Sequence, residues 1–261
     1  MALFQPVSRQ AFAGKFWQRT SSYAFAGQEA VCALLAQEMP KAVTCMPIAF
    51  MAESGQFMPV ALQGLQPGQN LHVAADGRWL LPYVPAAYRA YPFRSALAGN
   101  GQFVLCFDME SGLLADSGEA FFAEDGTTAP FLSQLAGFLQ ACEQDRARTM
   151  QLTALLGELG LLAPWPITVK DGAQDKQLTG IYRIDETALN SLPAEQFERL
   201  RQSGALVMVY CQLLSMQHLA HLGERARQLV AARQQLAASQ ASKELDLSFM
   251  SGSETLSFGT F

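Results

Sequence analysis

Between Thr128 and Leu162 the apolar residues recur at helical spacing, Phe131, Leu132, Leu135, Phe138 and Leu139 falling three, four and seven apart before the charged stretch Glu143 to Arg148. Nothing of that length precedes it. Up to residue 127 the chain breaks into short apolar runs separated by turn-forming pairs, so a β-rich part must pack against a mainly helical one. The fold class is therefore α+β: a mostly antiparallel N-terminal sheet with short helices against longer C-terminal helices. The expected division is 1–127 as a β-rich lobe, 128–243 as a mainly helical lobe with a strand region near 166–184, and 244–261 as a tail that docks as a strand. Pro164-Trp165-Pro166 is the expected linker.

Local chemistry sharpens the first half. Ala42 to Met51 and Phe57 to Leu62 flank Glu53-Ser54-Gly55-Gln56 and read as a hairpin. Asp76-Gly77 marks a second tight turn needing positive φ, and Pro85 and Pro92 bracket a short helix. Gln102 to Met109 is expected as strand, with further turns at Ser117-Gly118 and Asp125-Gly126. Gly27 to Met39 has the spacing of a short helix ended by Pro40. Further on, Gln177 to Ile184 reads as one strand, Asp185 as the cap of a helix over Glu186 to Leu192, and Ala205 to about Gln235 as one helix.

In 261 residues, half are hydrophobic and 16% charged, enough to bury a core. A net charge of −5 argues against nucleic acid as a partner, which calls for concentrated Lys and Arg. The most apolar stretch, Ala205 to Leu214, is far short of the roughly 20 residues that span a bilayer, so no transmembrane insertion is expected. The N-terminal residues lack the charged start and apolar core of a cleaved signal. That makes the cytoplasm the default compartment, with signal-independent delivery to the cell surface as the other route. Cys32, Cys45, Cys106, Cys142 and Cys211 are widely spaced and odd in number, and read as buried thiols.

Residues suited to chemistry are sparse. Of the three histidines, His72, His218 and His221, the last two stand three apart on a helix but lack the flanking carboxylate of a zinc motif, so no metal is assigned. Asp108 and Glu110 share one face of a strand, yet Ser111-Gly112 behind them favours a turn. Nucleophile-elbow, phosphate-loop and dinucleotide motifs are absent, no cofactor is called for, and the balance leans away from an enzyme. The candidate surface is the mix of Arg78, Trp79, Tyr83, Arg89, Tyr91 and Arg94, with Asp108 and Glu110, suited to holding a carboxylate or a protein partner. A second contact is the alternating tail, Leu247, Phe249, Leu256 and Phe258, which docks in cis, adds to another chain or serves as an export signal.

The blocks Tyr23-Ala-Phe-Ala, Met46-Pro-Ile-Ala-Phe, Gly64-Leu-Gln-Pro-Gly-Gln-Asn-Leu, Asp76-Gly-Arg-Trp and Arg89-Ala-Tyr-Pro-Phe-Arg resemble the bacterial SapC family. So do the later Asp108-Met-Glu-Ser-Gly-Leu and Leu178-Thr-Gly-Ile-Tyr-Arg-Ile-Asp-Glu. The family takes its name from a protein linked to a paracrystalline surface layer. A peptide-transport permease shares the name, but this chain has no membrane-length apolar run. The resemblance implies a noncatalytic interaction or assembly protein in surface-layer or cell-surface biogenesis, with an unidentified protein partner. The alternative is a small-ligand-binding protein or an enzyme acting on a peptide or surface component.

Overall fold

Short strands closed by tight turns lead into a few long helices, as a computed structural model shows for residues 3–99, 101–171 and 174–244. The first half contains β1 (Phe4–Pro6), α1 (Arg9–Phe12), β2 (Phe16–Trp17), β3 (Val31–Ala33), α2 (Met39–Ala42), β4 (Ile48–Glu53) and β5 (Gln56–Leu62). It continues with α3 (Ala86–Arg89), β6 (Phe93–Leu97), β7 (Phe103–Asp108), β8 (Leu114–Ala115) and β9 (Glu119–Ala120). The long helix α4 (Pro130–Glu158) precedes β10 (Leu162–Pro164), β11 (Ile167–Asp171), β12 (Gln174–Leu178) and β13 (Ile181–Ile184). Helices α5 (Glu186–Asn190), α6 (Ala194–Ser203), α7 (Ala205–Ser215) and α8 (His218–Glu244) follow. The α+β class is as expected, and every strand pair among the described residues is antiparallel.

The central sheet has the order β10-β13-β4-β5-β3. Its β4–β5 hairpin turns at Ser54-Gly55, where both residues take positive φ, as the turn chemistry required. Period-two alternation then buries both faces. Ile48, Phe50 and Ala61 enter one core with α2, the second half of α4, and α5 to α7, while Ala49, Val60 and Leu62 enter another with Trp165 and Leu222 of α8. The sheet β1-β7-β6 packs with β2 on the first half of α4, where Phe12, Phe93, Phe107 and Phe121 meet Leu132, Leu135 and Leu139. Because α4 is about 43 Å long, it serves both sheets.

Local signals hold elsewhere. Gly77 has φ +84, and a Cβ there would sit 2.2 Å from Ser22 Oγ. Asp185 caps α5 by accepting from the Ala188 amide at 3.0 Å, and left-handed Gly204 separates α6 from α7.

Four expectations change. The helix expected from Gly27 to Met39 is instead β3 followed by a 3-10 turn at Ala36–Glu38, because β5 offers Val31–Ala33 a strand partner. The single strand expected from Gln177 to Ile184 is two strands, bent at Gly180 with φ +81. The helix expected from Ala205 to Gln235 breaks between Ser215 and His218, with a bend of 43°. Pro164-Trp165-Pro166 is sheet and core rather than linker: Pro164 pairs with Tyr182, and Trp165 is buried with its amide donating to Ile181 O at 2.8 Å.

The break in the last helices has a use. Fully buried Gln212 accepts from the Ile184 amide at 2.9 Å and donates to Ile48 O at 3.2 Å, bridging β13 and β4 where they part. Ser215 Oγ accepts from the Ile48 amide at 2.9 Å. Buried main-chain groups that no strand reaches are satisfied from the helix. The tail residues Leu247, Phe249, Leu256 and Phe258 lie outside the described residues.

Candidate functional site: a groove along a sheet edge

Strand β3 is the outer strand of the central sheet. Its bonds to β5 include Gln63 N to Ala30 O and Leu34 N to Pro59 O, so alternation turns the amides and carbonyls of Val31 and Ala33 away from β5. That edge, which no other described strand pairs with, borders a hollow of about 460 Å³ whose other walls are Phe4, Phe25, Tyr88, Tyr91, Arg94 and Asp108, with Glu29 at its margin. A smaller hollow of about 240 Å³ adjoins it, sharing Ala33, Ala87, Phe93 and Arg94 and reaching Ser95, Glu143 and Arg146 on α4. Together they make one groove along the strand.

Three of the eight residues singled out in the sequence meet there. Tyr91 stacks on Phe25 with ring centroids 3.7 Å apart and planes 9° from parallel. Arg94 is exposed and lies over Phe4, its guanidinium carbon 3.5 Å from the ring centroid. Asp108, at the end of β7, is 6% exposed and accepts from the Glu110 amide at 3.1 Å, which makes it the turn residue its sequence context suggested. Glu110 itself is exposed and does not line the groove.

The other four do not join them. Arg78 is exposed and pairs with Asp76 at 2.7 Å. Trp79 is half-buried, donating from Nε1 to Tyr83 O at 2.8 Å among Tyr23, His72 and Tyr88. Tyr83 and Arg89 turn to Glu38, a residue that sequence reasoning passed over inside an expected helix. Glu38 is 5% exposed and accepts from Tyr83 Oη at 2.6 Å, the Ala86 amide at 2.5 Å and the Leu35 amide at 3.0 Å. Arg89 stands 3.8 Å from the same carboxylate, beside the rings of Phe138 and Tyr83. This carboxylate ties α3 to the turn after β3 and so sets one wall of the groove. Phe4, Phe25 and Glu29 were also missed, for they stand far in the chain from Tyr91, Arg94 and Asp108.

The reactive groups at the groove are held protonated. Burial pushes the Cys32 thiol up to about 12, and burial with the Asp108 charge raises the Tyr91 phenol. What the groove offers is a main-chain edge, stacked rings, one exposed guanidinium and an acidic margin. That is chemistry for holding an extended segment.

The five cysteines are unpaired; Cys32, Cys106 and Cys211 are buried, Cys45 and Cys142 half-buried. His218 bonds Val43 O through Nε2 at 2.9 Å with His221 beside it, the ring centroids 5.8 Å apart. No three His, Cys, Asp or Glu residues among those described are arranged to hold a metal ion. No single described helix is long and apolar enough to cross a membrane.

The family model for SapC matches residues 7–222, most of the chain and all of the groove except Phe4. No curated protein and no solved structure matches it. The chain belongs to the SapC family.

Proposed function

We propose that this SapC-family chain is a noncatalytic interaction or assembly protein of cell-surface or surface-layer biogenesis, which holds an extended segment of a protein partner along β3. The observation that carries the reading is the coincidence of a strand edge that pairs with no other strand among the described residues with the Tyr91–Phe25 stack and the exposed Arg94. A strand added at such an edge gains affinity from main-chain bonds, while rings and charges select its side chains. Arg94 would favour a segment carrying a carboxylate, which a guanidinium can bind bidentately. The surface-layer association rests on the family alone.

The test is a quantitative pull-down from the producing cells with three baits: the full chain, Arg94→Ala, and a chain ending at Lys243. A partner held by the full chain and lost with Arg94→Ala, at unchanged thermal stability, supports the groove. Loss only in the shortened chain moves the contact to the tail, and equal capture by all three removes both surfaces.

A further inference from the structure

A second hollow shares no lining residue with the groove. It measures about 460 Å³ and is lined by Thr44, Cys45 and Pro47 after α2, His72 and Leu81 on the Asp76-Gly77 turn, and the first turns of α8. A cavity of this size can hold a small molecule, and none of its lining residues belongs to a strand that could pair with a peptide.

His72 is a rigid fixture in that wall. It is 3% exposed; its amide donates to Asn70 Oδ1 at 2.9 Å, its carbonyl accepts from the Leu80 amide at 2.9 Å, and its ring meets Trp79 edge to face. Its Nδ1 faces Arg225 Nη1 at 3.4 Å. Since an arginine can only donate, Nδ1 is the acceptor and the imidazole is the neutral Nε2–H tautomer. Burial and then the nearby guanidinium lower its pKa to about 4, tempered by the Leu62 backbone, which agrees with a neutral ring. Nε2 itself is buried, and among the described residues it makes no hydrogen bond of normal geometry. A buried imidazole in this state costs stability, and its geometric effect is to orient one guanidinium.

Arg225 is half-buried, and no carboxylate among the described residues lies within ion-pair distance of it. Arg225 lines a hollow whose other polar side chains include His221, Gln228 and Thr44, with Pro47, Leu81 and Leu222 as apolar walls. Glu224 at the same opening adds one negative charge, which disfavours a dianion.

We propose that this hollow binds a small organic monocarboxylate, its charge held by the Arg225 guanidinium that His72 orients and its apolar body against Leu81 and Leu222. An arginine fork matches a carboxylate in plane and spacing, and among the described residues Arg225 has no carboxylate at ion-pair distance to occupy that fork.

The experiment is calorimetric titration of the full chain with butyrate, hexanoate, benzoate and indole-3-acetate, with phenyl phosphate and benzylamine as charge controls. At least one carboxylate should bind saturably and more tightly than either control, and shift the histidine ring signals in NMR spectra. Arg225→Gln should weaken it about tenfold, the loss of one charge-assisted contact, whereas Arg227→Gln should not. Arg225→Lys, which keeps the charge without the fork, should fall between, so that a folding defect in the Gln variant leaves a usable comparison. No saturation by any carboxylate, equal binding in the Arg225 variants, or a preference for phenyl phosphate or benzylamine would overturn the assignment. None of these outcomes touches the groove, whose partner binding is read by Arg94.

Discussion

The Tyr83 hydroxyl donates to the buried Glu38 carboxylate at 2.6 Å, joining the segment that leads into α3 to the 3-10 turn after β3 across 45 positions of sequence. Removing the carboxylate strands that hydroxyl, the amides of Leu35 and Ala86 and the guanidinium of Arg89 together. Glu38→Ala should cost about 3 to 5 kcal/mol and Tyr83→Phe about 2 kcal/mol. Urea unfolding of the single and double variants should show that the two losses do not add. Additive losses would mean that the carboxylate and the phenol act independently.

The groove and the residues behind it should respond differently. Arg94→Ala removes an exposed cation–π contact and should cost no more than about 1 kcal/mol, while partner binding is lost. Trp79→Ala empties a site among three aromatic rings and should cost about 3 to 5 kcal/mol. Thus a triple replacement of Trp79, Arg89 and Arg94 would mix lost stability with lost binding. Thermal denaturation beside the pull-down separates the two effects, and equal destabilisation by Arg94→Ala and Trp79→Ala would show that the groove wall is structural.

Stability should fall on mild acidification because of His72. Its folded pKa, about 4, lies below the ordinary 6.5 of the unfolded chain, so the unfolded state takes up the proton first. The neutral ring is accommodated fully above about pH 6.5, and stability is lost as pH falls towards 4. The full loss is about 3 kcal/mol at 1.36 kcal/mol for each pH unit. Denaturant titrations between about pH 7.5 and 4.5 should show wild type losing this increment relative to His72→Gln. Parallel curves for the two proteins would contradict a buried neutral imidazole.

Two glycines should differ in what a methyl group costs. A Cβ at Gly64 would stand 1.9 Å from the Gln69 carbonyl oxygen, a main-chain atom, so the loop must move. Gly64→Ala should cost about 3 kcal/mol or more. At Gly77 the near atom is the Ser22 hydroxyl, which can rotate, leaving mainly the strain of positive φ. Gly77→Ala should cost about 1 to 2 kcal/mol, and melting temperatures of the two variants rank them.

Where a residue's state depends on its chain neighbours, the sequence was enough. Ser54-Gly55 and Asp76-Gly77 form the turns their φ preferences demand, Asp185 caps α5, and the spacing of Leu132, Leu135 and Leu139 makes one buried stripe on α4. Val31 to Ala33 shows the limit: a segment with helical spacing became strand because β5 lay alongside with unpaired amides and carbonyls, and propensity is too weak to resist that. Of the candidate site, Tyr91, Arg94 and Asp108 were legible as residue types suited to binding. Arg78, Trp79, Tyr83 and Arg89 have the same composition and turn elsewhere, since composition carries no direction.

Sequence alone determined the α+β class, the hairpin and turn positions and the family, because these rest on local backbone preferences and on the order of residues along the chain. Tertiary structure alone decided that Glu38 collects donors from its own turn and from the distant Tyr83–Ala86 segment, that Gln212 bridges Ile48 to Ile184, and that Phe4, Phe25 and Arg94 share one groove. The physical reason is that a buried polar atom or an open strand edge takes whichever partner the packed chain brings within reach, and no spacing along the sequence encodes that distance.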